Sequence, residues 1–250
     1  MVEEYFPAIP GIDMSKLQMA PNSAYSITKP KDAKQIEQFI NKHIGGKNLA
    51  ILDGTANVGG DVINFGLNPN VARVVAIEIN PETFAMLENN IRVYGKLLIL
   101  QSEINNLNHH KSAKQIYSGK LLILQSEIKS AKQIYARLDK KIQAIHGNSL
   151  DIIEKCADGE HFDILFLDAP WGGTSYKTHK FLDLEMSGKK LADVVRMAQK
   201  CRNIDNIILK IPFNYNLYQL IRETEFHTIV IEKIKTVKGF YMILLLSIKK

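Results

Sequence analysis

Three places in this chain combine residue types and spacing suited to chemistry. Asp53 heads the run Asp53-Gly54-Thr55-Ala56-Asn57-Val58-Gly59-Gly60, directly after the apolar stretch Leu49-Ala50-Ile51-Leu52. Gly54, Gly59 and Gly60 permit sharp turns and a close approach of backbone to ligand. The run is not Gly-x-Gly-x-x-Gly, and an acid at its head repels a pyrophosphate, so a dinucleotide site is disfavoured. The Asp53 carboxylate suits a ligand bearing an ammonium group; taken alone, the loop is equally an ordinary strand-to-helix turn. Glu78 lies 25 residues on, at the end of a second apolar stretch. A carboxylate there can accept both hydroxyls of a ribose. A solvated strand-end charge is the alternative, and the pairing with Asp53 favours the ligand. The third place is Asp168-Ala169-Pro170-Trp171-Gly172-Gly173, after Phe162–Leu167, with the chain's one Trp. Held between Pro170 and Gly172, that Trp is a platform for a planar base rather than a plug of the core.

Other groups carry less. His109-His110 lie in a polar stretch with no partner at metal spacing, and no metal site is expected. Thr28 stands near the cap of the first long helix. Two cysteines, Cys156 and Cys201, are too few for a disulfide framework, and a reducing, intracellular compartment is the expectation. No apolar run approaches the ~18 residues of a membrane span, so no membrane partner is expected.

These loops need elements to hold them. Residues 1–30 read as an irregular extension, and 31–250 as one domain. Ile36, Phe39, Ile40 and Ile44 mark an amphipathic helix stopped by Gly45-Gly46. Apolar stretches at 49–52, 71–79, 142–146, 162–167, 206–211, 228–237 and 240–248 read as strands. Helices stand between most of them; one is started by Asn80-Pro81 and ended by Gly95. Alternating strands and helices predict an α/β fold, a doubly wound and mostly parallel seven-stranded sheet with a reversed last strand. Ligands of such sheets bind beyond the carboxyl ends of the strands, where all three loops fall.

One segment breaks the order. Gly95–Ile104 recurs letter for letter as Gly119–Ile128, and Ser112–Tyr117 as Ser130–Tyr135. The three-and-four spacing of Leu121, Leu124, Ile128, Ala131, Tyr135 and Leu138 predicts a helical hairpin inserted at 96–139, a β-hairpin being the alternative. The chain has 250 residues and a formal charge of +6. Residues 95–141 hold nine basic and three acidic side chains, so the whole surplus lies there and the remaining body is neutral. The insertion is therefore the candidate contact for RNA or protein. The oligomeric state is not legible.

The residues also carry a resemblance. Ile51–Gly60, Val75–Pro81 and Asn89–Gly95 resemble the cofactor half of S-adenosylmethionine-dependent methyltransferases. Leu167-Asp168-Ala169-Pro170-Trp171-Gly172-Gly173 narrows this to the trimethylguanosine synthase family, which methylates N2 of the 7-methylguanosine RNA cap; Tyr25-Ser26-Ile27-Thr28 is similar to its lead-in. The resemblance covers about 20–95 and 140–250. It implies S-adenosylmethionine as cofactor and capped RNA as partner. Asp53, Gly54, Thr55, Asn57, Val58 and Gly59 would surround the methionine part, with Thr28 and Asp168 at its edge. Glu78 and Ile79 would meet the ribose, and Asn148 and Ser149 the adenine. Trp171 would stack on the cap base, with Gly172, Tyr176 and Lys16 as further substrate contacts; Lys177 and Lys180 are other candidates for the triphosphate. Asp168, Pro170 and Trp171 would be catalytic, the Asp168 carboxylate or the loop carbonyls accepting the N2 hydrogens. Ala169 departs from the family's first proline, Asp168 from its frequent serine, and Asn148 from the acid usual near adenine. The alternatives are an N2-guanine or N6-adenine methyltransferase acting on internal bases, and a catalytically silent RNA-binding subunit. The expected location is the nucleus for a cellular protein and the host cytoplasm for a viral one.

Overall fold

The inner strands of this protein are mostly apolar, as they must be when helices cover both faces of a parallel sheet. The computed structural model describes all residues except 1, 10, 11, 22, 96–137, 139, 140, 156–158, 223, 237, 238, 249 and 250. The duplicated insertion and His109-His110 fall outside the described residues.

The main sheet is built from β1 (Leu49–Asp53), β2 (Val71–Glu78), β3 (Ile142–His146), β4 (Phe162–Leu167), β7 (Ile204–Pro212), β8 (Thr228–Thr236) and β9 (Gly239–Ser247). A two-stranded ribbon, β5 (Glu185–Met186) and β6 (Lys189–Lys190), stands apart. The sheet order is β3-β2-β1-β4-β7-β9-β8. The pairs β1–β2, β1–β4, β2–β3 and β4–β7 are parallel. Strand β9 runs antiparallel between β7 and the edge strand β8. The doubly wound sheet with a reversed last strand is as the sequence predicts. Successive strands leave β1 in one direction and β4 in the other, so a crevice opens between β1 and β4 at their carboxyl ends.

Side chains alternate across this sheet. Ile51, Val74, Ala76, Ile164, Phe166 and Ile208 belong to one core. Leu52, Val75, Ile77, Leu165, Leu167 and Leu209 belong to the other. The first core is covered by α2 (Pro30–His43), α3 (Gly60–Leu67) and α4 (Pro81–Gly95), the second by α5 (Ser149–Lys155), α6 (Leu191–Lys200) and α7 (Leu217–Arg222). Each fully buried Leu, Ile or Phe contributes about 1.5–3 kcal/mol.

The N-terminal segment joins the first core through buried Phe6, Ile12, Leu17 and Ile27. It is made of short 3-10 turns and a one-turn helix, α1 (Ser23–Ser26). Asn90, fully buried on α4, fastens it: its Oδ1 accepts from Gln18 N at 2.8 Å, and its Nδ2 donates to Gln18 O at 2.8 Å and to Val58 O at 2.9 Å. Helix α4 starts as expected, with Thr83 N donating to Asn80 Oδ1 at 2.9 Å. The β5–β6 ribbon turns at Ser187 and Gly188, whose φ angles of 49° and 76° match the primed turns of tight hairpins. At the amino ends of the strands, away from the crevice, Asp163 accepts from Ala50 N at 2.7 Å and His161 pairs with Asp205 at 3.1 Å, stapling β1, β4 and β7. Cys201, after α6, is disulfide-bonded, which the expectation of a reducing compartment did not include. Among the described residues no helix is long and apolar enough to cross a membrane.

Candidate active site

Each strand that ends at the crevice delivers one polar group. Asp53 closes β1 and is 1% exposed. Its Oδ1 accepts from Thr55 N at 2.9 Å, so the carboxylate shapes its own loop. The loop is then tied to both neighbouring strands: Gly54 N donates to Phe166 O at 3.0 Å and Ala56 N to Ile77 O at 3.0 Å. A Cβ on Gly54 would sit 2.7 Å from Leu167 Cδ2 and 3.3 Å from Ser149 Cβ. Gly54 therefore serves the close packing of β1 on β4 and α5. Gly59, at φ 97°, starts α3 from a left-handed conformation.

Glu78 closes β2. Its Oε2 accepts from Asn57 N at 2.9 Å and its Oε1 from Asn80 N at 2.8 Å. Each oxygen keeps a second lone pair, which is the acceptor pair a ribose diol requires. Ile79 follows it, 56% exposed into the same cleft. Asn148 Oδ1 caps α5 by accepting from Leu150 N at 3.1 Å, and also accepts from Ser187 Oγ of the ribbon at 3.0 Å. Asn57, with φ of 48°, bridges to the lead-in: its Oδ1 accepts from Ser23 Oγ at 2.9 Å and its Nδ2 donates to Ser26 Oγ at 2.7 Å.

Beyond β4, Asp168 N donates to Thr55 Oγ1 at 2.8 Å, joining the third loop to the first. The Asp168 carboxylate is bound by Lys210 Nζ, from β7. Lys210 also donates to Thr28 Oγ1 at 2.9 Å, and Thr28 donates to Asp61 Oδ2 at 2.5 Å. Thr28 is thus a link in a buried polar chain rather than a helix cap. Trp171 packs edge-on against Tyr176, ring centres 5.1 Å apart, and tilted against Tyr241 at 6.4 Å. Its indole N–H lies near enough to the Asp168 carboxylate to favour the charged form, yet makes no hydrogen bond of good geometry. Asp61 Oδ1 and the Tyr241 hydroxyl are likewise buried without a hydrogen-bond partner among the described residues.

Burial dominates the electrostatics. It holds the Asp53 carboxyl well above the ordinary carboxylate range, and the charges of Asp61 and Asp168 add to this. Asp61 is pushed up to about 6 by burial, against the opposing Lys210 ammonium. Asp168 is also raised by burial, with Lys210 countering. Lys210 is held protonated: its burial penalty is outweighed by Asp168 and Asp61. Asp168, Asp61 and Asp32 around one lysine make a floor that favours cations.

These groups surround a cleft of about 1750 Å³. Thr28, Gly54, Thr55, Asn57, Glu78, Ile79, Asn148, Ser149, Asp168, Pro170, Trp171, Gly172 and Tyr176 all line it. Asp53, Val58 and Gly59 lie beneath it as the loop's support. Lys16 is elsewhere, 64% exposed and paired with Asp13 at 3.1 Å. Of the three lysines considered for the phosphates, Lys177 lines the cleft; Lys29, Lys31 and Lys235 join it at the rim. Sequence reasoning missed Lys210, Asp61 and Tyr241. The available signal was a lysine flanked by apolar neighbours in Ile207-Ile208-Leu209-Lys210-Ile211.

A profile of the RNA cap guanine-N2 methyltransferase family matches residues 48–244. "Uncharacterized protein L320" of Acanthamoeba polyphaga mimivirus is 25% identical over 246 residues, covering 90% of this chain and 78% of that protein. Among solved structures, the rRNA methyltransferase AviRa from Streptomyces viridochromogenes is similar with a TM-score of 0.55 and 15% identity, over 94% of this chain and 93% of that one. The human methyltransferase 10 domain containing protein reaches a TM-score of 0.55 at 9% identity, over 93% and 90%. At such identities these two structures speak to the fold alone.

Proposed function

Because the chain belongs to the RNA cap guanine-N2 methyltransferase family, we propose that it transfers methyl from S-adenosylmethionine to N2 of a 7-methylguanosine cap. The observation that carries this reading is the position of Trp171, partly buried beside Asp168 in the same cleft as Glu78 and Thr55.

The residues present fit the cofactor. Glu78 offers acceptors to ribose hydroxyls, Ile79 an apolar edge to adenine, and Asn148 a polar one. The acid-rich floor suits a ligand whose sulfonium and ammonium are both cationic. S-adenosylmethionine supplies an activated methyl group, leaving the protein mainly to align the acceptor. The exocyclic amine of guanine is a weak nucleophile because its lone pair is delocalised into the ring. Asp168 and the carbonyls of residues 168–170 would accept hydrogen bonds from that amine, raising the electron density on its nitrogen and fixing its orientation. Trp171 stacks on the base, and the positive charge of a 7-methylated base adds about 0.5–2 kcal/mol of cation–π attraction. The basic rim of Lys29, Lys31, Lys177 and Lys235 faces the triphosphate, and the charge surplus of the insertion at 96–139 serves as a contact for the RNA chain beyond the cap. The mimivirus relative supports the host cytoplasm as the place of action.

Mass spectrometry of products tests this. A 7-methylguanosine cap dinucleotide is expected to gain one or two methyl groups, and its unmethylated counterpart far fewer. Equal activity on both would overturn cap specificity, and preferential methylation of uncapped RNA would favour an internal-base enzyme. Isothermal titration with S-adenosylhomocysteine separates the silent-subunit alternative, which predicts no binding.

A further inference from the structure

Lys210 occupies the least expected position in the molecule. Its side chain is 8% exposed, on a central strand among Ile207, Ile208, Leu209 and Ile211. An ammonium is costly to bury unless it is paired and hydrogen-bonded. Here it is paired from every side. Asp168 faces it from the loop after β4, Thr28 from the lead-in, Asp61 from α3 and Asp32 from α2. Two rings flank it, Trp171 with its centre 5.5 Å from Nζ and Tyr241 at 5.4 Å. Tyr176 also feels its charge, and Asp53 from β1 feels those of Asp61 and Asp168.

We propose that Lys210 is a positioning residue for the methyl transfer, holding the Asp168 carboxylate ionised and aimed at the exocyclic amine. This rests on the methyltransferase reading above. Lys210 does not touch the reacting atoms; it acts through Asp168. An ionised carboxylate only accepts hydrogen bonds, whereas a protonated one presents a hydrogen of its own and loses the pull on the amine. Buried beside Asp61 and Asp53 without its cation, Asp168 would hold a proton to higher pH. Lys210 also ties two segments together. Through Thr28 it holds the lead-in segment, and through Asp168 it holds the loop that carries Trp171. The cofactor side and the base side of the cleft therefore share one fastening.

The test titrates the Asp168 carboxyl by carbon-13 NMR in the full chain labelled at aspartate, assigned with Asp168→Asn, beside the pH profile of kcat on cap dinucleotide. In Lys210→Met the carboxyl midpoint and the acid limb of kcat are expected to move up together by at least one pH unit, with Lys210→Arg restoring both. A Lys210→Met that lowers kcat equally at all pH values, with the carboxyl midpoint unmoved, would overturn the proposal and make Lys210 merely structural. If Lys210→Met does not fold, Lys210→Gln, which keeps a donor without the charge, is titrated with the same two outcomes. The NMR titration needs no methyl acceptor. An inactive wild type with the carboxyl shift present counts against the cap reading, and an absent shift in an active enzyme counts against Lys210.

Discussion

At the scale of single residues, the cleft divides its work between an aromatic platform and a buried charge network. On the proposed function, Trp171 would supply the part of recognition that depends on the charge of the base. Removing the ring in Trp171→Ala should raise KM for the 7-methylated cap dinucleotide at least tenfold. It should also cut the preference over the unmethylated dinucleotide by roughly 2- to 30-fold, the equivalent of about 0.5–2 kcal/mol. Steady-state kinetics on the two substrates checks both numbers. Asp61 governs a separate property. Its folded pKa of about 6 lies above the usual 3.8 because the side chain is buried. The native state thus binds the proton more tightly than the unfolded chain does. Stability from this group is complete below about pH 4 and is lost as pH rises through 6, a change on the order of 3 kcal/mol. Denaturant unfolding at pH 4.5 and 7 should show that component in the wild type and not in Asp61→Asn.

At the scale of elements, the sheet places the loops and the N-terminal segment closes over them. Asn90 is the fastening that joins α4 to that segment and to the loop after β1. Asn90→Ala leaves the N–H and C=O of Gln18 without their side-chain partner and strands the buried C=O of Val58. A loss of about 2–4 kcal/mol is expected, measured by chemical denaturation, together with weaker S-adenosylhomocysteine binding by calorimetry. The strands and the Asn80-Pro81 helix start were legible because they depend on local pattern: apolar runs, caps and breakers. The role of residues 2–29 was not. Their apolar residues have no period, and only the packing of Phe6, Leu17 and Ile27 into the first core reveals what they do. The β5–β6 ribbon escaped notice for a related reason, since two-residue strands are too short to show alternation.

At the scale of the whole molecule, charge is partitioned. The body is neutral, with acids in the floor of the cleft and lysines on its rim, while the surplus of +6 sits in residues 95–141. On the proposed function, the charge of that segment would attract the RNA chain and the cleft would read the cap. Deleting residues 97–136, which spares the buried Leu138, should weaken binding to long capped RNA, and steepest at low salt, while leaving cap-dinucleotide KM nearly unchanged. Filter binding across a salt series, beside dinucleotide kinetics, checks this. An equal loss for both ligands would place the insertion in the cleft's own architecture.

By itself the sequence determined the sheet and the ends of its strands. Alternation of apolar strands with helices admits few topologies, and a parallel sheet brings every strand's carboxyl end to one edge. Asp53, Glu78 and Asp168 were readable as one site on that ground alone. Only the tertiary structure decided what those acids are paired with. Thr28 and Lys210 are 182 positions apart, Asp168 and Lys210 are 42 apart, and Thr28 and Asp61 are 33 apart. Local periodicity carries no information about contacts over such separations. Which buried charge meets which is settled when β7 packs beside β4 beneath the lead-in, because a charge left unpaired in that interior costs several kcal/mol.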